Sequence, residues 1–243
     1  MKTPVMINTP VVSEENWIVA RKQLLAKEKE LTHLRDELSQ LRQQLPRVKV
    51  EKEYIFDTTE GKQSLSDLFK GNSQLFLQHF MLGPGWKEGC PGCSFMADHL
   101  DGTLPHLEHH DVSVVVVSRA TLPEILAFKK RMGWTFNWVS SNESDFNFDY
   151  HVSFNKADKV NYNYDTIDWA GEELPGVSTF YKDEDGTIYH TYSTYARGAE
   201  QVIGTYSILD LMPKGRNEEG DMGTWMKHHD KYEAAPVHSS CCH

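Results

Sequence analysis

The chain has 243 residues, of which 39% are hydrophobic, and this is enough apolar material for a folded core. Its 35 acidic and 25 basic residues give a formal net charge of -10, which disfavours nonspecific binding to nucleic acid or anionic lipid. We find no apolar run of the length of a membrane-spanning helix or a signal peptide. The composition therefore predicts a soluble, cytoplasmic globular protein without nucleic-acid or membrane partners.

A long helix is predicted near the N-terminus. Ser13 is a suitable N-cap, and Pro46 ends the helical pattern. Leucines recur every seven residues along this helix, and others fill the intermediate positions: Leu24, Leu31, Leu38 and Leu45, with Leu34 and Leu41. This pattern is typical both of a helix packed on its own domain and of a coiled-coil contact. Residues 1–46 are thus predicted to be a helical arm and a possible homodimer contact.

Apolar runs alternate with helical patterns in the middle of the chain. Residues 75–82 and 112–118 are typical of strands buried on both faces, and 134–140 of a third strand. Helices are predicted after the first run, over about 95–107, and after the second, over 121–133. Strands joined in this way pair in parallel by right-handed crossovers. The pattern predicts an α/β sheet with helices on both faces.

The C-terminal half begins with a polar, aromatic stretch. Aromatic and polar residues alternate over 146–154, which predicts an edge strand or an extended cover. Residues 176–181 and 187–192 flank an Asp-Gly turn and predict an antiparallel hairpin. The main domain is therefore predicted to span 47–213 with an insertion near 141–172, and 214–243 to be a loop and a flexible tail containing Cys241 and Cys242.

Cys90 and Cys93 lie between the first buried strand and its helix. Such a pair can exchange a disulfide, supply half of a tetrahedral metal site, or be small buried side chains. Redox exchange is favoured, because open α/β sheets bind ligands at this edge and a helix N-terminus stabilises a thiolate. Cys90 is then the nucleophile and Cys93 the resolving thiol. Pro91 suits the first helical turn and stiffens the loop.

Zinc is the main alternative ligand for the cysteine pair. Two more ligands are needed, from Cys241 and Cys242 or from the histidines His106, His109 and His110. Adjacent cysteines chelate one tetrahedral ion poorly, and histidines are common near a helix C-terminus. We therefore predict no metal. The tail cysteines can also serve as an auxiliary thiol that reduces a Cys90–Cys93 disulfide.

Six short stretches carry a family resemblance: His79-Phe80-Met81, Gly89-Cys90-Pro91-Gly92-Cys93-Ser94-Phe95, Val117-Ser118-Arg119-Ala120, Arg131-Met132-Gly133-Trp134, Asp145-Phe146-Asn147 and Tyr195-Ala196-Arg197-Gly198. Together with the N-terminal helix, they resemble domain-of-unknown-function family 899, a group of predicted thioredoxin-like dithiol-disulfide oxidoreductases. The resemblance implies a thioredoxin-like mixed sheet flanked by helices. It also implies thiol-disulfide exchange at the cysteine pair without a cofactor, with an unnamed substrate and thiol electron donor.

Two positions depart from the thioredoxin pattern. Ser178 is aligned with the thioredoxin cis-proline, which predicts a small or specialised substrate. His79 is aligned with a buried acid of thioredoxins. This histidine is either the proton acceptor when Cys93 attacks a mixed disulfide, or a neutral core residue bonded to backbone.

The residues predicted to face a substrate are Pro91, Trp86, Ser178 and Arg197, although Arg197 is equally suited to a structural salt bridge. Thiol-disulfide exchange is the predicted activity. Peroxiredoxin-like peroxide reduction is one alternative. A non-catalytic thioredoxin-fold protein that binds a partner or senses redox state is another.

Overall fold

A computed structural model of the protein describes residues 9–155, 159–218 and 225–233. The α-helices are α1 (Glu14–Gln43), α2 (Pro91–Ala97), α3 (Leu104–His109), α4 (Leu122–Met132), α5 (Phe146–Asp149) and α6 (Gly204–Leu209). The strands are β1 (Val48–Lys49), β2 (Ile55–Thr58), β3 (Gly61–Ser64), β4 (Gln74–His79), β5 (Val112–Ser118), β6 (Asn137–Ser140), β7 (Lys159–Tyr162), β8 (Asp165–Asp168), β9 (Gly176–Lys182) and β10 (Ile188–Tyr195).

The main sheet has the strand order β1-β10-β9-β4-β5-β6-β2-β3. β4, β5 and β6 are parallel, whereas β9 pairs antiparallel with both β4 and β10. The succession of β4, α2, β5, the β9–β10 hairpin and α6 is the thioredoxin-like arrangement. The predicted mixed sheet flanked by helices, with a long N-terminal helix, is confirmed.

Side-chain alternation along the central strands divides the core into two layers. Val114 and Val116 of β5 pack under α2 and α4 with Phe80 and Cys93. Val115 and Val117 pack on the opposite face, among the side chains that surround Phe146. Because successive residues of a strand point to opposite faces, the apolar run of β5 fills both layers. The cysteines therefore lie on one defined face of the sheet.

Two parts of the fold differ from the prediction. β2 and β3 form a hairpin that pairs with β6, although the sequence indicated no strands there. The strand predicted over 146–154 is not formed, because α5 occupies its first residues. Helical spacing brings Phe146 and Tyr150 together, with their ring centroids 4.6 Å apart, on the core side of this segment. The insertion instead contributes the separate pair β7–β8.

α1 does not pack on its own domain. Ser13 caps it by accepting a hydrogen bond from the Asn16 N–H at 3.3 Å, as predicted, and the helix buries none of its residues. Its C-terminal end approaches the domain, where the Arg42 guanidinium lies 5.5 Å from the Tyr192 ring centroid. None of the helices in the described part of the chain is long and apolar enough to cross a membrane.

Candidate active site

Cys90 lies at the junction between the loop after β4 and the first turn of α2. It is the N-cap residue, and Pro91 is the first residue of the helix. The Cys90 N–H donates to the Met81 carbonyl at 3.0 Å, and the Ser94 N–H and hydroxyl both donate to the Cys90 carbonyl at 2.9 Å. These bonds attach the cysteine to both flanking elements, so the position of its sulfur is well defined.

Gly89 allows the chain to approach the core just before Cys90. A Cβ at this position would overlap the Phe80 ring and come within 2.9 Å of Phe128. The Gly89 carbonyl also accepts a hydrogen bond from the buried His228 ring at 2.8 Å. The glycine is therefore needed for close packing of the loop that presents Cys90.

The two thiols have opposite acidities. A hydrogen bond from the Cys93 thiol, together with the backbone N–H groups of Cys93 and Gly92, lowers the pKa of Cys90 to about 6 against the opposing effect of burial. The same hydrogen bond and burial raise the pKa of Cys93. Cys93 is only 2% exposed, whereas Cys90 is half-buried. At neutral pH the pair is a Cys90 thiolate that accepts a hydrogen bond from a Cys93 thiol.

A cavity of about 230 Å³ opens over both cysteines. Its walls are largely apolar and include Met96 and Ile203. Arg197 and Glu200 line the same cavity and are paired, with Arg197 Nε donating to Glu200 Oε1 at 2.8 Å. The cavity therefore combines an apolar wall with one neutralised charged pair.

Pro175 lies opposite the cysteines, immediately before β9. It lines the cavity, and the peptide bond that precedes it is trans, as are all those of the described residues. Ser178 is three residues further along the strand and is fully buried, with its hydroxyl 2.8 Å from His79 Nε2. Strand alternation places Ser178 on the face away from the cysteines. This corrects the prediction that Ser178 takes the thioredoxin proline position and faces a substrate.

His79 also lies on the sheet face away from the cysteines. Its neighbour Gln78 contacts Cys93, whereas His79 stacks on Tyr150 with ring centroids 5.9 Å apart. Burial lowers the pKa of His79 to about 3, so the ring is neutral. The hypothesis that it accepts a proton from Cys93 is therefore corrected. It is a neutral core histidine, with a serine hydroxyl as its hydrogen-bond partner where a backbone group was expected.

A chain of hydrogen bonds runs from His79 to the edge of the sheet. The Ser178 hydroxyl is 2.8 Å from that of Ser193, which is 2.7 Å from His190 Nε2. His79 Nδ1 is buried and has no hydrogen-bond partner among the described residues. This network links four polar side chains across β4, β9 and β10.

Two buried polar residues beside the cysteines were missed from the sequence. Gln78 Nε2 donates to the Cys93 carbonyl at 3.0 Å. Glu173 accepts from Arg119 Nε at 2.5 Å and from the Ser153 hydroxyl at 2.8 Å. Burial raises the pKa of Glu173, and its negative charge contributes to the raised pKa of Cys93. The sequence signal that could have identified Gln78 is its position as a polar residue within an otherwise apolar strand.

Of the remaining residues predicted to face a substrate, only Arg197 lines the cavity over the cysteines. Pro91 is exposed at the start of α2, next to Cys90, and Arg197 lines the cavity with a side chain that is 73% exposed. Trp86 is 37% exposed, and its backbone N–H donates to the Gly83 carbonyl at 3.1 Å, but it is not one of the residues that line the cavity.

No three His, Cys, Asp or Glu side chains converge to hold a metal ion in the ranges that the structure describes. His106, His109 and His110 lie on α3 and at its end, away from the cysteine cavity. Cys241 and Cys242 lie outside the described residues. Their proposed roles as zinc ligands or auxiliary thiols stay predictions.

The fold and the site together define a thioredoxin-like protein with a Cys-x-x-Cys pair at a helix N-terminus. The chain belongs to the family described as "Bacterial protein of unknown function (DUF899)", whose model matches residues 6–232. This confirms the resemblance noted in the sequence. No curated protein matches the chain.

Several solved structures are similar to the chain. A cysteine mutant of PrxQ from Xylella fastidiosa is 19% identical, with 64% of this chain and 88% of that chain covered and a TM-score of 0.41. Peroxidoxin BcpB from Mycobacterium tuberculosis is 14% identical, with 66% and 95% covered and a TM-score of 0.45. The mitochondrial 2-cys peroxiredoxin from Plasmodium falciparum is 17% identical, with 72% and 96% covered and a TM-score of 0.40. These identities and scores are low, so the similarity does not indicate what this chain acts on.

Proposed function

We propose that this protein is a thiol-disulfide oxidoreductase in which Cys90 and Cys93 cycle between dithiol and disulfide. The observation that carries this proposal is the unequal acidity of the pair: hydrogen bonding to Cys93 lowers the pKa of Cys90 to about 6, while the pKa of Cys93 is raised. Since the thiolate is the nucleophile, Cys90 attacks first. The protein needs no organic cofactor for this chemistry.

The cycle takes two displacements. The Cys90 thiolate attacks one sulfur of a substrate disulfide, forms a mixed disulfide, and releases the other half as a thiolate that takes up a proton. Cys93 then gives its proton to solvent water and attacks the Cys90 sulfur. The second half of the substrate leaves as a thiolate that takes up a proton, and a Cys90–Cys93 disulfide forms. Two electrons have passed to the substrate, and an external thiol donor restores the dithiol.

The cavity over the sulfurs favours a substrate with an apolar group next to its disulfide. Met96 and Ile203 offer apolar contacts, and the Arg197–Glu200 pair at the cavity presents little net charge. A small-molecule disulfide or an exposed protein disulfide both meet this description. The setting we propose is the cytoplasm, where a pool of reduced thiols can supply the electron donor.

The test is turnover of a small aromatic disulfide with a dithiol reductant. Cys90→Ser is expected to abolish turnover, because no other group in the cavity is a thiolate at neutral pH. In a parallel reaction without the reductant, Cys93→Ser is expected to release one equivalent of thiol and then stop, leaving a mixed disulfide on Cys90 that mass spectrometry identifies. The double variant Cys241→Ser/Cys242→Ser is the control for loss of cysteine, because the added dithiol replaces any reduction by the tail thiols. Undiminished turnover by Cys90→Ser would refute the proposal.

The same dithiol favours peroxide reduction as a second candidate, since a Cys90 thiolate with a pKa of about 6 also attacks the O–O bond of a peroxide. Cys90 would become a sulfenic acid and release water or an alcohol, and Cys93 would then displace the second oxygen as water. Trapping of a sulfenic acid in Cys93→Ser after peroxide treatment would support this reaction. No cycling with either oxidant would leave the non-catalytic alternative.

A further inference from the structure

α1 presents an apolar surface that nothing in its own domain covers. The helix has 30 residues, a length of about 45 Å, and it buries none of them. Leu31, Leu34 and Leu41 remain 47%, 51% and 51% exposed. Helices in proteins are stabilised chiefly by packing of an apolar face, so a helix of this length without such packing lacks its usual source of stability.

The apolar residues of α1 follow a heptad repeat. If Leu24, Leu31 and Leu38 occupy position a, then Leu34 and Leu41 occupy position d, and Trp17 begins the repeat one heptad earlier. These positions form one seam along the helix. Leu25, in contrast, falls at position b, outside the seam, although it is 39% exposed and chemically identical. The repeat thus separates leucines that would face a partner helix from one that would not.

Charges beside the seam specify the partner and its direction. Glu30 and Glu37 fall at position g, and Arg35 and Arg42 at position e. In a parallel, in-register pair of identical helices, a g residue faces the e residue five positions later in the other chain. Glu30 then faces Arg35 of the second copy, and Glu37 faces Arg42. By symmetry this gives four pairs of opposite charge.

An antiparallel pair of the same helices brings like charges together. In that arrangement g faces g and e faces e, so a fully overlapped pair places Glu30 against Glu37 and Arg21 against Arg42. Only Glu28 against Arg35 would be favourable. From this asymmetry we infer that α1 forms a parallel, in-register coiled coil with the α1 of a second copy of this chain. This inference does not depend on the proposed redox chemistry.

Lys27 is the one seam residue that departs from the pattern. It falls at position d, and its ammonium donates to Glu30 Oε2 at 2.8 Å within the same helix. In the parallel, in-register pair Lys27 lies opposite Lys27 of the second copy, so it lowers the stability of the dimer. The e and g charges and the remaining seam leucines must outweigh this cost.

Sedimentation equilibrium of the full chain under reducing conditions tests the assembly. Wild-type protein is expected at twice the chain mass of 27.9 kDa across a concentration series. Leu31→Lys/Leu38→Lys should raise the dimer Kd by at least about a hundredfold, because it places charges at two a positions of each chain. Leu25→Lys is the matched control and should leave the dimer intact. Unchanged Cys90 alkylation in each variant would show that the main domain is folded.

A charge reversal tests the direction of the helices. Glu37→Arg faces Arg42 in the parallel dimer, so we expect roughly a tenfold rise in Kd, and Glu37→Arg/Arg42→Glu should restore wild-type affinity. In the antiparallel arrangement the same Glu37→Arg would face Glu30 and tighten the dimer. Tighter dimerisation of Glu37→Arg would overturn the inferred direction. A wild-type chain that stays monomeric, as expected if α1 binds a different protein, would overturn the inference as a whole.

Discussion

Cys90 and Cys93 are identical side chains whose surroundings make them chemically different. Cys90 is half-buried at the N-cap of α2, where Cys93 and the first backbone N–H groups of the helix lower its pKa, whereas Cys93 is buried within the first turn. A thiol that donates to a thiolate loses acidity as its partner gains it. The surroundings of the two cysteines therefore determine that Cys90 attacks first and Cys93 second.

The acidity of Cys90 can be measured by its rate of alkylation against pH. The rate should rise through a midpoint at about pH 6 in the wild-type chain. Cys93→Ala should move this midpoint upward, because the thiolate loses its main hydrogen-bond donor. Cys93→Ser retains a hydroxyl donor and is the matched comparison, with a smaller upward shift. Equal midpoints in wild type and Cys93→Ala would show that the hydrogen bond does not set the pKa.

At the scale of single elements, consecutive polar residues of β4 face opposite layers of the core. Gln78 points toward Cys93, and the next residue, His79, points into the layer that contains Phe146. A strand turns successive side chains to opposite faces, so neighbours in sequence have no common environment. This is why a histidine one residue from a cysteine contact belongs to the core.

His79 should make the fold sensitive to acid. Its pKa is lowered to about 3 in the folded chain, so below its ordinary value near 6.5 the unfolded chain binds a proton that the folded chain does not. The stability that the neutral His79 contributes is thus fully present above pH 6.5 and is lost progressively as the pH falls to about 3. His79→Gln should be less stable than wild type at neutral pH, and the difference should shrink as the pH falls.

The measurement for His79 is urea denaturation at neutral pH and at mildly acidic pH. His33→Gln, at an exposed position of α1, controls for loss of a histidine. A gap between wild type and His79→Gln that stays constant with pH would contradict the role of His79.

At the scale of the whole molecule, a buried ion pair joins distant parts of the chain beside the active site. Arg119 follows β5, and Glu173 precedes β9, with side chains that are 16% and 2% exposed. The pair connects the central sheet to the segment that carries Pro175. Buried charges of this kind stabilise a fold only as long as both partners are present.

Breaking this pair should destabilise the folded chain more than replacing both members. Arg119→Met leaves the Glu173 carboxylate buried without its cation and should cost about 3 kcal/mol of unfolding free energy. The double variant Arg119→Met/Glu173→Leu should recover much of this loss. Lys62→Met removes exposed pairs with Glu143 and Asp57 and should cost much less than Arg119→Met. Chemical denaturation compares wild type, Arg119→Met, Glu173→Leu, the double variant and Lys62→Met. A loss in the double variant equal to the sum of the Arg119→Met and Glu173→Leu losses would contradict the coupling.

The sequence by itself determined the features that depend on local patterns. The apolar runs predicted β4 and β5, the capping pattern predicted α4, and the position of the Cys-x-x-Cys pair predicted a thiol site at the start of a helix. The Asp-Gly turn predicted the β9–β10 hairpin. Local patterns determine these elements because each depends on residues within about one or two turns of chain.

Only the tertiary structure decided which distant residues meet. The face of each strand depends on its register in the sheet, so His79 and Ser178 turned out to lie in the opposite layer from the cysteines. Pro175 reaches the cavity because β9 runs antiparallel to β4, and the charge of nearby Glu173 helps to raise the pKa of Cys93. α1 is the complementary case: its heptad repeat was visible in the sequence, and only the fold showed that its own domain leaves it uncovered.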